Sequence, residues 1–482
     1  MTFRNRVVLA LTSLALCAAL LPRVAEARNP HCAGGIQYVV GGLRDKEKGN
    51  TEDYLRQMNK AIQQLEQCAA EDAEDSEAIC YLGWAYAELD SAGPSGKWFD
   101  IGIKGLEAKG DKKKVSQWTD NRNSYWVRWL NDGIGKMNAA RDVYPDFCKK
   151  PANEADETLR GEAAKSYESA ELGLMRAAAM RPADSNTLRN LGSLYAFRCE
   201  FMKAESKFRE ALALAPSDTM LQQSLRSVRI NRANQLVDEQ KLDEAESYLK
   251  ELIAAEPASA DHAMSLADLY FKRAQALKDN EEGRKAQFKL AADNYARASG
   301  NRKGDADLTF NAALAYQFAS DYPKAVEYWE ATSRLRPNDH EALSSLGACL
   351  VEVKRCDDAA VAVLKAVQLK PDLKNLHRQL GAIYSKCGNN ARATEHLMLY
   401  LAMDKGVAAA DPAAAAKAAP AGTTAAKTLS TDGAPEKVFA WQQDSQKYET
   451  WVYFAKQTAF TFGGGQLVSK ASWGVSAAPK KN

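Results

Sequence analysis

Pro337 and Pro371 stand 34 residues apart, and the residues around them recur at the same spacing. That internal period constrains this chain more than any other feature. A repeated unit too small to bury its own apolar face is stable only when stacked on further copies. The clearest unit runs from Ser185 to Pro216 and carries Leu188, Leu191, Gly192, Tyr195, Ala204, Phe208 and Ala211. A second holds Thr309, Ala312, Ala313, Tyr316, Ala325, Trp329 and Pro337; a third holds Leu343, Leu346, Gly347, Ala359, Ala366 and Pro371. A last shows Leu380, Gly381, Tyr384, Ala393 and Leu397. The spacing predicts two antiparallel helices per unit. Small residues such as Gly192 and Ala204 let the helices approach, and large ones such as Tyr195 and Phe208 fill the space between neighbours. The proline ends the second helix and starts the turn into the next unit.

This pattern resembles the tetratricopeptide repeat (TPR), over roughly residues 50–405. The resemblance implies an all-α fold, a right-handed superhelix of about eight helix pairs, and a scaffold that binds proteins. Weaker units fill the gaps: Ala233, Leu236, Ala245, Leu249 and Pro257, then Leu266, Ala267 and Tyr270, resuming at Ala291, Tyr295 and Ala298. The Lys-, Asp- and Glu-rich insertion between the last two sets reads as extended, solvated helix ends. Upstream, Ala170, Leu174, Ala177 and Pro182 mark a second helix whose first helix is expected over 123–141. Tyr81, Leu82, Gly83, Trp84 and Tyr86 mark the earliest recognisable first helix.

In such an architecture the first helices line the concave face. By repeat position, Arg189, Ser193, Asn231, Asn234, Phe310, Gln317, Phe318 and Arg378 are the candidate partner-binding residues, set against an ordinary solvated face for each. Phe310 and Phe318 stand out, because an exposed aromatic often anchors a partner, the alternative for either being packing inside the stack. Only Arg189 and Asn231 approach the Lys/Asn/Arg set with which some TPR proteins grip a terminal carboxylate, and Asp261 falls where a cation is wanted. Residues 91–150 depart from the repeat, with Trp98, Phe99, Trp118, Tyr125, Trp126, Trp129, Tyr144 and Phe147 crowded around Lys112, Lys113 and Lys114. Such a mixture suits a local core capping the first repeats, with a loop tethered through Cys148, or a surface for nucleic acid or carbohydrate.

The amino terminus reads as an export leader. Arg4 and Arg6 precede an apolar run from Val7 to Leu21, and Ala25-Glu26-Ala27 offers small residues at a cleavage site. Eight cysteines remain beyond it: Cys32, Cys68, Cys80, Cys148, Cys199, Cys349, Cys356 and Cys387. An even count in an exported chain suggests disulfides. Cys356 and Cys387 fall near the turn between paired helices in successive repeats, which makes them a candidate disulfide along one edge of the stack. No His/Cys cluster has zinc-ligand spacing, so no metal or cofactor is expected. With 64 basic and 62 acidic residues, no bulk field draws the chain to nucleic acid.

Residues 406–432 are Ala-rich and read as a flexible or partly helical linker. Beyond it, Glu449 to Phe454, Thr458 to Phe462 and Gln466 to Ser469 alternate like three strands, the last two joined by Gly463-Gly464-Gly465. A β-meander over 433–475 is too small to stand alone and is expected to dock on the solenoid or a partner. Gly433-Ala-Pro435-Glu-Lys-Val438, Trp451-Val-Tyr453 and Phe460-Thr-Phe462 followed by Leu467-Val468 also resemble the small lipoprotein module of the outer-membrane β-barrel assembly machinery. That resemblance implies an envelope location and protein contact.

None of the five histidines sits in a paired metal or catalytic motif, and there is no GxSxG or phosphate loop. His340 and His377 occupy equivalent repeat edges and are expected at the surface. The organisation anticipated is a leader over 1–27, degenerate repeats with the aromatic insertion over 28–180, a regular array over 181–405, the linker, and the β-rich module. The function anticipated is a non-enzymatic, exported scaffold or adaptor, periplasmic or associated with the outer membrane or cell wall. It has no transmembrane helix after cleavage and binds protein partners in a bacterial envelope assembly. The alternative is a glycan- or peptidoglycan-binding envelope protein using the aromatic insertion and the β tail.

Overall fold

The computed structural model describes residues 28–474, so the expected leader over 1–27 lies outside the described residues. Eighteen helices follow one another as consecutive pairs, and a five-stranded antiparallel sheet closes the chain. No helix among the described residues is long and apolar enough to cross a membrane. Two compact units divide at 232/233.

The first unit holds α1 (Pro30–Glu47), α2 (Thr51–Glu71), α3 (Ser76–Glu88), α4 (Ala92–Ala108), α5 (Lys112–Val143), α6 (Glu154–Met180), α7 (Ser185–Phe197) and α8 (Phe201–Leu214). It also takes most of α9 (Thr219–Asp238). The pair α1–α2 precedes the earliest first helix legible in the sequence. Its core is Val39, Met58, Ala61 and Leu65, and the sulfurs of Cys32 and Cys68 lie 2.12 Å apart across it. The aromatic insertion is largely α5, which begins a full three turns before the expected 123. Phe99, Trp118, Tyr125 and Trp129 are buried in this unit's core. Trp84 Nε1 donates to the Tyr125 hydroxyl at 2.8 Å, and Trp126 Nε1 donates to Thr187 Oγ1 at 2.9 Å. Cys148, on the loop after α5, reaches Cys199 in the α7–α8 turn with sulfurs 1.97 Å apart.

The second unit continues with α10 (Leu242–Ala255), α11 (Ala260–Ala276), α12 (Glu281–Asn301), α13 (Ala306–Phe318), α14 (Tyr322–Leu335), α15 (His340–Glu352), α16 (Cys356–Leu369), α17 (Lys374–Lys386) and α18 (Asn390–Lys405). The repeat logic is visible in its contacts. A Cβ on Gly347 would lie 2.3 Å from Val363 Cγ2, and one on Gly381 would lie 2.6 Å from Leu397 Cγ. The small residue of the first helix therefore seats the large residue of the second. The last three intra-repeat turns each place one residue in the left-handed region, at Ser320, Lys354 and Gly388, again 34 apart. The inter-repeat turns before α13 and α15 each end in an aspartate cap. Asp305 Oδ1 accepts from the backbone of Asp307 and Leu308, and Asp339 Oδ1 accepts from Glu341 and Ala342. Cys356 and Cys387, at the starts of α16 and of the α17–α18 turn, have sulfurs 2.06 Å apart.

The tail follows α18 as β1 (Val407–Ala408), α19 (Pro412–Lys417), α20 (Thr424–Asp432), β2 (Lys437–Gln443), β3 (Gln446–Tyr453), β4 (Thr458–Gly463) and β5 (Gln466–Ser472), with strands in sequence order across the sheet. Strands β1 and β2 add to the three legible by alternation. One face, with Phe439, Trp441, Val452, Ala459, Ala471 and Trp473, joins the core of the last repeats beside Leu399 and Ala402. The other, with Val438, Trp451, Tyr453, Phe460 and Phe462, is covered by Ala416 and Ala425. The expected linker is thus partly helical but not a free tether. Its alanines are small enough for α19 and α20 to lie against the aromatic face of the sheet.

Candidate partner-binding surfaces

In the first unit, Arg189 and Ser193 are half-buried on α7, and Asn231 is exposed on α9. Trp118, central to the glycan alternative, is buried among Tyr81, Trp84 and Phe99, with the Tyr81 and Trp118 ring centroids 4.6 Å apart. Its ring serves the core.

In the second unit, Asn234 and Arg378 are exposed, and the Arg378 guanidinium lies 5.8 Å from the Tyr400 ring. Phe310 and Gln317 prove to be packing residues. Phe310 meets Trp329 edge to face at 4.9 Å, and the Gln317 side-chain oxygen accepts from Trp329 Nε1 at 2.9 Å. Both hold the large residue of α14 against α13, because an indole in the core needs an apolar wall and an acceptor.

Phe318 is different. It is 45% exposed at the end of α13 and belongs to an aromatic trio. Its ring lies 5.0 Å from Phe288 and 6.1 Å from Phe271, and those two meet at 5.0 Å. Phe288 is buried and stands in the charged insertion expected to be solvated. The insertion lengthens α12 at its amino end, and its one aromatic ring turns inward to support Phe318. Lys289, next in the chain, lies 2.5 Å from Asp321 and 4.7 Å from the Tyr316 ring centroid. Burial works against its charge, but Asp321 and Asp293 outweigh that and hold its pKa above the ordinary lysine value. The sequence reading missed Phe271 and Phe288. Phe271 directly follows the repeat tyrosine Tyr270, and Phe288 is the lone aromatic in a polar run. Either could have flagged the trio.

His377 is not at the surface. It is fully buried, with its ring stacked on His396 and edge-on to Trp473. Its repeat edge is covered by the sheet. Among the described residues, the metal-capable grouping is Cys32, Cys68 and Asp75, whose two sulfurs lie at bonding distance from each other.

Helix pairs stacked by small-against-large packing, with an aromatic cluster open at a first-helix end, define a repeat solenoid suited to protein–protein interaction. Over residues 230–299 and 310–373 the repeats match the tetratricopeptide repeat family's model. Among curated proteins, the chain is similar to the peroxisomal targeting signal receptors of Candida albicans, 31% identical over 111 residues and 23% of this chain, and of Eremothecium gossypii, 29% over 116 residues and 24% of it. These matches span only 19% and 20% of the receptors' own lengths. Among solved structures, it is similar to YrrB, a TPR protein with an unusual peptide-binding site, at 19% identity and TM-score 0.32, covering 41% of this chain and 92% of that one. MamA gives 14% identity and TM-score 0.32, covering 37% of this chain and 91% of that one.

Proposed function

We propose that this chain is a non-enzymatic, exported scaffold that binds protein partners through its repeat surfaces in a bacterial envelope assembly. The observation that carries the binding role is the half-exposed Phe318, held by Phe271 and Phe288. A buried ring beneath an exposed one makes a rigid apolar anchor, the kind of feature that dominates interface energies. Export is supported by the leader-like residues 1–27 and by three cysteine pairs at disulfide distance, which suit an oxidising compartment. The tail's resemblance to an outer-membrane assembly lipoprotein module supports an envelope address.

The test is crosslinking in living cells, followed by identification of what co-purifies with the tagged chain from the envelope fraction. A discrete protein set, depleted by Phe318→Ala and Phe271→Ala in folded protein, is expected. Recovery of the chain alone, or of an unchanged set with both variants, would overturn the binding reading. Residues 1–27 still present in the intact mass of the mature protein would overturn cleavage on export.

A further inference from the structure

A cavity of about 690 Å³ lies in the carboxy-terminal module, between the sheet and the α19–α20 connection. Its floor is one cross-strand row, Ala440 opposite Glu449 and Glu449 opposite Phe462. The neighbouring row is filled by Trp451, which is fully buried. Here β2 offers only the methyl of Ala440, beside Glu449 and Phe462 on the next two strands, and the roof is slight, made by Ala418, Ala419 and Pro420. The void is therefore a consequence of the Ala-rich sequence.

The cavity opens at a sheet edge that is only partly covered. Strand β1 pairs with Phe439 and Ala440 alone, and Ala409 N–H donates to the Val438 carbonyl. Strand β2 continues to Gln443 before the turn at Asp444 and Ser445. Backbone groups alternate between the two edges of a strand, so the edge that serves Val438 and Ala440 also carries the N–H and C=O of Gln442. Opposite Gln442 the chain is already the end of α18, and no strand lies there. Such an edge is a template for another chain.

The mouth is cationic. Lys405 and Lys447 are exposed on either side of it, and neither forms an ion pair among the described residues. Of the nearby carboxylates, Asp404 pairs with Lys374 at 2.7 Å, while Glu449 has no ion pair among the described residues and its Oε2 accepts from the neutral Trp451 Nε1 at 3.2 Å, so the two lysines outnumber the one unpaired carboxylate of the lining.

We propose that the cavity and the bare edge of β2 receive an extended, acidic segment of a protein partner. Its backbone adds to β2 at Gln442, an apolar side chain enters over Ala440 and Phe462, and its carboxylates meet Lys405 and Lys447. Main-chain pairing supplies affinity, and the pocket and lysines supply selectivity. This site is separate from the Phe318 surface and stands or falls independently of it.

The experiment is selection of random heptapeptides displayed on phage against the full chain. The best sequence is then synthesised with a fluorescein label and titrated by fluorescence polarisation. The selected peptides are expected to alternate apolar, β-prone residues with acidic ones. The labelled peptide should lose affinity by about tenfold or more with the double variant Lys405→Glu/Lys447→Glu. Ala440→Trp, which fills the cavity, should have the same effect, while Phe318→Ala should leave binding unchanged. Both lysines are exposed, so the double variant keeps the fold, as a melting curve will verify. Selection that yields nothing above bare support, or peptides without acidic residues, would overturn the proposal. So would a selected peptide that binds the lysine variant as tightly as the native chain.

Discussion

Acidification is expected to loosen the sheet from the last repeat, through His377 and His396. The two Nδ1 atoms are 3.2 Å apart, and His377 Nε2 is 3.3 Å from the Pro371 carbonyl oxygen. With Nε2–H of His377 donating to that carbonyl, its Nδ1 accepts from Nδ1–H of His396. A further proton on His377 would set two N–H groups against each other in a site closed by Trp473 and Tyr384. Burial pushes the His377 pKa down to about 4. Burial, then His377 and Arg392, push His396 down to about 3. Both folded values lie below the unfolded one, so their stabilisation is complete above pH ~6.5 and is lost as pH falls towards the folded values. Between pH 7 and 5 the unfolded chain gains about three-quarters of a proton per histidine, nearly all of which the folded chain refuses. At ~1.4 kcal/mol per pH unit, this costs about 2 kcal/mol for each histidine by pH 5. Glu395, whose pKa burial raises, acts with the opposite sign and is common to the chains compared. The assay is hydrogen exchange of peptides from α17, α18 and β5, corrected for the intrinsic pH dependence of exchange. Protection should fall by at least roughly 30-fold from pH 7 to 5, the equivalent of one histidine. His377→Leu/His396→Leu should remove most of that fall. An equal fall in the double variant, or none in the native chain, would refute the reasoning.

Two further perturbations probe the packing and the cysteines. Gly347→Ala should destabilise the second unit by ~1–3 kcal/mol, because Val363 occupies the space, and Gly135→Ala, with nothing near its Cβ position, should instead stabilise α5 by ~0.5–1 kcal/mol. Denaturant titration of both variants checks the pair. Cys356→Ser should lower stability by roughly 3–4 kcal/mol, as expected for a closed loop of 31 residues. In denaturant without reductant, alkylation should mark, among the cysteines of the described residues, Cys80 and Cys349 alone.

Much of the fold was legible because the repeat writes its packing into local spacing. Gly192 and Gly381 each announce a close helix approach and meet the repeat's large residue sixteen positions on, Phe208 and Leu397; Gly347 meets Val363 at the same offset, a residue the spacing had not singled out. The paired cysteines at Cys356 and Cys387 were legible for the same reason, since a constant repeat brings equivalent turns to one edge. The candidate surface was legible only in part. Phe318 could be placed at a first-helix end, but Phe310 and Gln317 share that face and are drawn inward by Trp329. Which ring packs and which stays exposed depends on the size of the residue opposite. His377 was misplaced because no repeat position reveals that a sheet from further along the chain will cover that edge.

By itself, the sequence determined the helix pairs, their small-against-large contacts and the β-prone tail. These depend on neighbours three, four or 34 residues away, and such distances survive in any copy of the repeat. Only the tertiary structure decided that the Ala-rich stretch folds against the tail, that β1 covers β2 incompletely, and that Phe288 turns in beneath Phe318. Those outcomes depend on strand register and on surfaces far apart in sequence, where a single slip of pairing would move every side chain to the opposite face.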